Sequence, residues 1–200
     1  MRLYSYVVRR DFGFAPNPFH GFCTLATCKP DIRKTANIGD WIIGTGSKSK
    51  KRDGHIVYGM RVTETMSFDA YWSDKRFQDK KPNLSGSKKQ AFGDNIYFFD
   101  AKKKFWHQEN SHHAHEDGTP NKNNIATDTK TDRILVSSEY MYWGGDGPKI
   151  PSEFRSKLCK QGQGHKNKFS DDFVEKVIAW LKSLELSGYC GTPIDWRLSP

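Results

Sequence analysis

Cys28 is the side chain best placed to act as a nucleophile. It follows Cys23 by five positions and stands just ahead of "KPDIRKTANIG", where Pro30, an early Asp31 and Gly39 as a stop mark a short helix. A thiol at such a start meets one condition for a lowered pKa, and the thiolate is the attacking form. Pyrimidine-modifying enzymes use a thiolate of this kind on ring carbon C6, but none of their motifs is present, and a buried structural thiol is the alternative reading. Asp11, Asp40 and Glu64 can serve as acids or bases if a pocket gathers them, although no carboxylate pair or Ser-His-Asp order is identifiable. A zinc site from Cys23, Cys28 and two of His107, His112, His113 and His115 has an unusual spacing. The run "HQENSHHAHED" therefore reads as a solvated loop, and no metal or cofactor is expected.

Two further groups of residues suit binding rather than bond making. In "GDWIIGTGSKSKKR", Thr45, Gly46 and Ser47 offer backbone amides and hydroxyls to a phosphate, with Lys48 and its basic neighbours supplying attraction. The same residues also make an ordinary basic hairpin tip, and the Gly-Lys-Ser/Thr ending of a P-loop is missing. In "DFGFAPNPFHGF", Phe12, Phe14, Phe19 and Phe22 with Asn17 and His20 could read a base: rings to stack, Asn17 to bond an edge, His20 to donate or accept. A rigid aromatic plug is the competing reading. Trp41 alternates with Ile43 and so faces either the core or a pocket beside the helix.

These residues must be positioned by a small set of elements. Leu3–Val8, Trp41–Thr45, a stretch from Gly54 to Glu64, "DNIYFFD" near residue 97, and Arg133–Trp143 carry the β-branched and aromatic content of strands, with the basic tip joining the second and third as a hairpin. Residues 67–80 space their aromatics as a helix or an aromatic loop, and residues 101–132 are polar enough to read as a mobile connection. From Ser170, "SDDFVEKVIAWLKSLE" has a cap, early acids and one apolar face, the pattern of a helix. The tail "TPIDWRLSP" reads as extended. The expected fold class is α+β: a strongly curved, mostly antiparallel sheet or small barrel with flanking helices. One domain over 1–200 is expected, divided into a basic aromatic segment and sheet (1–143) and a helical segment (144–200).

Composition narrows the partners. The 200-residue chain carries a net charge of +9, and residues 1–60 hold ten Lys/Arg against four Asp/Glu, so most of the excess surrounds the hairpin tip. That is the footprint of a protein that binds a polyanion. There is no signal sequence pattern and no apolar run long enough to span a bilayer, so a cytoplasmic protein with reduced thiols and no membrane partner is expected.

The stretch "DFGFAPNPFHGFCTLATCKPDIRKTANIGDWIIGTGS", residues 11–47, resembles the family called nucleotide modification associated domain, type two. The likeness extends through "YWGGDGPKIP" at 142–151 and "GQGH" at 162–165. It implies a place in bacterial or phage systems that act on DNA bases, with modification or defence proteins as partners. More distantly, a Gly-Asp turn into a strand followed by "HIVYGMRV" and "DAYWSDKRF" resembles EVE, ASCH and other PUA-like pseudo-barrels, which implies a pocket that accepts a flipped base. The long aromatic loop and the 101–132 region depart from that pattern.

The sequence thus supports a nucleic-acid or nucleotide-binding module that recognises a modified or to-be-modified base through Asn17, Phe19, His20 and Trp41. Its phosphate contacts are expected at Thr45, Gly46, Ser47 and Lys48. The rivals are an enzyme acting on a free nucleotide or base through Cys28, Asp11 and Asp40, and an interaction subunit of a defence complex.

Overall fold

The computed structural model describes residues 1–197. Alternating stretches of the chain build two compact units: residues 1–12, 36–63 and 137 onward form the first, and residues 13–35 and 64–136 the second.

The first unit is organised by a six-stranded sheet. Its order is His165–Lys166, Leu3–Val8, Trp41–Gly46, Ile56–Arg61, Glu139–Tyr142, Gly188–Tyr189. Leu3–Val8 runs parallel to Trp41–Gly46, and Gly188–Tyr189 parallel to Glu139–Tyr142; the other pairings are antiparallel. The sheet is therefore mixed, and its two short terminal strands leave it open, so of the two expected forms, a strongly curved, mostly antiparallel sheet or a small pseudo-barrel, the barrel does not form. The cause lies in connectivity. A parallel neighbour requires a long crossover, and here the chain between Val8 and Trp41 is spent on a segment of the second unit instead of a tight turn.

The basic tip does join Trp41–Gly46 to Ile56–Arg61 as a hairpin. Close approach fixes Gly44 within it: a Cβ there would come within 2.4 Å of the Tyr58 ring and 2.7 Å of Val8. Trp41 and Ile43, two apart and on one face, enter the core with Leu3, Ile56, Met141 and Trp143. The helix Asp171–Ser183 covers that face, burying Phe173, Val174, Val177, Ile178 and Leu181. Ser170 caps it by accepting from the Phe173 amide. Each such side chain removed from water contributes about 1.5–3 kcal/mol before ordering costs. Trp41 is thus a core residue, 1% exposed.

The second unit contains a three-stranded sheet, Cys23–Leu25, Ile134–Ser137, Glu64–Met66, and a hairpin of Tyr97–Asp100 with Phe105–Gln108. The Gly54–Glu64 stretch therefore yields strands of two different sheets, as does Arg133–Trp143. Residues 67–80 form the helix Phe68–Ser73 and a 3-10 helix, Lys75–Lys80. The polar region 101–132 is built, not loose: it supplies Phe105–Gln108 and the helix Lys122–Asp128, capped by Asn121. The tail turns into a 3-10 helix at Ile194–Arg197, and its last three residues, 198–200, lie outside the described residues.

Candidate functional site

The strand Cys23–Leu25 leads through buried Ala26 and Thr27 to a sharp turn before the helix Pro30–Thr35. Cys28 and Lys29 occupy the turn with φ of 58° and 42°. Two successive non-glycine residues in the left-handed region cost free energy that surrounding contacts must offset, a condition found preferentially at functional sites. Here the Cys28 amide donates to Asp128 Oδ1 at 2.7 Å, and the buried Arg33 Nε donates to the Cys28 carbonyl at 2.9 Å. Arg33 also donates to the main-chain carbonyls of Asp128 and Arg133. The turn is tied down on both sides of the sulfur.

Cys28 Sγ lies 3.6 Å from His113 Nε2, and His113 Nδ1 lies 2.7 Å from Asp128 Oδ2. The thiol is half-buried, the imidazole side chain 15% exposed and the carboxylate 1% exposed. Burial acts against a charged ring, but the hydrogen bonds to Asp128 and Cys28 outweigh it, moving His113 from 6.5 up to about 9. The imidazole is thereby held as an imidazolium facing sulfur.

Supporting contacts fix each partner. Asp128 Oδ2 also accepts from the Tyr97 hydroxyl at 2.9 Å, and Gln108 Nε2 donates to that hydroxyl and to the His113 carbonyl. Asn124 Nδ2 donates to the same carbonyl at 2.8 Å, and the Phe14 ring packs 4.7 Å from the imidazole. Burial and the Asp128 charge push Tyr97 well above its ordinary value, so it stays a donor.

Thiol, imidazole and carboxylate atoms all lie within 4.8 Å of one another, a separation that a metal ion also fits. Their order argues otherwise. A chelate points three ligand atoms at one centre, whereas His113 turns Nε2 to the sulfur and Nδ1 to the carboxylate. The histidine stands between its partners as in a proton relay.

The other expected site residues have different surroundings. Asp11 is 2% exposed and belongs to the first unit, where it accepts from the Tyr142 hydroxyl at 2.5 Å and the Ile194 amide at 3.0 Å. Asp40 closes a turn, accepting from the Arg2 and Asn37 amides. Neither belongs to the unit that carries Cys28. Glu64 is paired with Arg76.

Asn17 and Phe19 are buried in the second unit. Asn17 donates to the Phe92 carbonyl and accepts from Lys80, so its amide edge is already occupied. Fully buried Lys80 donates in addition to the carbonyls of Asn17 and Phe22 and to Thr24 Oγ1, and burial moves it down to about 8. Thr24 and Tyr71 both donate to buried Asp94, whose carboxyl burial raises. These contacts make the aromatic loop a rigid structural piece, with His20 exposed at its turn. Thr45 is buried and donates to the Tyr6 carbonyl, while Gly46, Ser47 and Lys48 line a cavity of about 350 Å³ in the first unit.

Sequence reasoning singled out Cys28, weighed His113 only as a zinc ligand and passed over Asp128. His113 lies inside the run read as a solvated loop, and Asp128 ends a seven-residue helix with few apolar side chains. The available signal was local: three histidines and Ser111 within five residues, in a chain with seven histidines in all.

Fold and site together define a mixed α+β protein that holds a Cys-His-Asp relay on a constrained turn. Over residues 1–200 the chain matches the family described as nucleotide modification associated domain 2, and it belongs to that family. The family's description associates it with nucleotide modification. No curated protein and no solved structure matches the chain. Among the described residues no helix is long and apolar enough to cross a membrane.

Proposed function

We propose that this protein is a thiol-dependent enzyme of nucleotide modification, with Cys28 as nucleophile, His113 as general acid and base, and Asp128 orienting the imidazole. The observation that carries the reading is the continuous chain from Cys28 Sγ through His113 to Asp128, built on a turn with two left-handed residues. The form of sulfur that attacks carbon is the thiolate, and His113 Nε2 faces that sulfur.

The reaction class is displacement at an electrophilic carbonyl or amidine carbon of a nucleotide, or of a group carried on its base. A sulfur–carbon bond forms as the bond from that carbon to its amine or hydroxyl leaving group breaks, and His113 gives its proton to the departing atom. Water or an acceptor amine, losing a proton to His113, then displaces the sulfur as its C–S bond breaks, and the proton on His113 restores the starting cysteine–histidine pair. The family's association with nucleotide modification supports a nucleotide as the substrate class. The buried state of Asn17, Phe19 and Trp41 favours this reading over base recognition by those side chains.

The test is acid-quenched incubation with a panel of nucleoside mono- and triphosphates carrying amide, ester or unmodified bases, read by intact-protein mass spectrometry and product analysis. Turnover or an adduct that maps to Cys28 and is lost in Cys28→Ala is expected. No turnover and no adduct across the panel, with Cys28 alkylated no faster than an unactivated thiol, refutes the proposal.

A further inference from the structure

The first unit contains a basic tract that the thiol chemistry does not use. Residues 154–170 hold Arg155, Lys157, Lys160, Lys166 and Lys168 and not one carboxylate. Two cavities open along this single segment. One, of about 350 Å³, brings Lys160 to Arg9, Lys48 and the Gly46–Ser47 corner, with Asp53 as its one acidic lining residue. None of these three cations pairs with a carboxylate among the described residues. The corner is tight by necessity, because a Cβ at Gly46 would sit 2.3 Å from the Arg52 carbonyl. Ser47 and Ser49 share a hydroxyl–hydroxyl bond of 2.9 Å at its edge.

The other cavity, of about 660 Å³, is lined by Lys157, His165, Lys166, Lys168, Phe169 and Phe173 among others. Its character differs, since cations here accompany rings. Phe169 stacks on Phe173 at 5.3 Å and 22°, with Phe173 buried and Phe169 half-buried, and Lys157 lies 5.0 Å from the Phe173 ring. Lys166 donates to the carbonyls of Ser156, Lys157 and Cys159, which fixes the segment that carries Lys157 and Lys160.

We propose that this segment binds a single-stranded oligonucleotide, with a backbone phosphate among Arg9, Lys48 and Lys160 and a neighbouring base stacked on Phe169. Cations that accept successive phosphates, combined with a ring that accepts any base, are the chemistry of single-strand recognition. A mononucleotide has one phosphate cluster and one base and fills one cavity. Two cavities served by one acid-free segment suit a polymer. The site is separate from the Cys28 relay in its residues and does not depend on that enzyme reading.

Fluorescence anisotropy with a labelled single-stranded DNA of about 12 nucleotides, the span of one such groove, tests it across a salt series. Inorganic phosphate, a deoxynucleoside monophosphate and the duplex serve as competitors. The expected result is salt-dependent binding that the monophosphate and duplex displace poorly. The double variant Lys48→Ala/Lys160→Ala should weaken binding about tenfold and reduce the log–log salt slope by about 0.7, the share of the one phosphate these lysines help to hold. Phe169→Ala should weaken binding with the slope intact, and Cys28→Ala should bind like the unaltered protein, which separates this site from the thiol reading. No binding, equal binding of duplex or monophosphate, or unchanged affinity in the lysine variant overturns the proposal.

Discussion

Replacing Asp128 with asparagine isolates what the relay contributes. The asparagine amide retains an oxygen able to accept the Cys28 amide now held at 2.7 Å, but it removes the negative charge 2.7 Å from His113 Nδ1. With His113 at about 9, a solution at pH 7.5 holds roughly thirty imidazolium rings for each neutral one. Without the carboxylate, burial lowers the value and only the Cys28 contact is left to raise it. A ring at or below 6.5 leaves at most about one in ten protonated at the same pH, so the imidazolium population falls about tenfold. Titration of side-chain-labelled histidine by NMR reads this directly, and the rate of Cys28 alkylation by iodoacetamide, resolved by peptide mass spectrometry, should fall by a similar factor.

The sign of the stability effect follows. A histidine whose folded value is raised contributes stability that is complete below about 6.5 and disappears as pH rises through about 9. The shift is worth about 3 kcal/mol at most. Urea unfolding of the unaltered protein should therefore show stability declining across that window, and Asp128→Asn should flatten the decline. His113 titrating near 6.5 in the unaltered protein, or at one value in both proteins, refutes the reasoning.

Two further outcomes concern the scaffold. Lys80→Met should lower stability by about 3 kcal/mol or more in urea titration, because acceptors on Asn17, Phe22 and Thr24 and the buried Asp94 carboxylate all lose their cation. Gly44→Ala should cost about 1–3 kcal/mol in thermal unfolding, since its methyl meets the rings and branches of Tyr58 and Val8 at under 3 Å.

Parts of this architecture were legible because their signals are local. The helix Asp171–Ser183 declares itself through a serine cap, early acids and an apolar stripe, and Leu3–Val8 and Trp41–Gly46 through apolar strand runs. The Ile56–Arg61 and Glu64–Met66 strands read as one run because their assignment to different sheets is decided by partners far along the chain. The relay was half legible for a related reason. Cys28 stands at a recognisable turn, whereas the order of residues 101–132 comes from polar bonds such as Gln108 to Tyr97 and Asn124 to the His113 carbonyl. Low apolar content hides that kind of order. The order of the aromatic loop comes from polar bonds in the same way, since buried Lys80 holds it through bonds to Asn17 and Phe22.

The spacing of the relay along the chain also sets the order in which its three side chains are made. Asp128 stands one hundred residues after Cys28, and His113 eighty-five after it. On the ribosome the sulfur therefore emerges long before either partner exists. A nascent or truncated chain ending short of residue 128 lacks the carboxylate, and only a chain that has closed the helix Lys122–Asp128 onto the turn brings all three side chains together. Under the proposed thiol chemistry, reactivity at Cys28 is therefore a readout of completed folding, lost in every fragment that lacks the hundredth residue downstream.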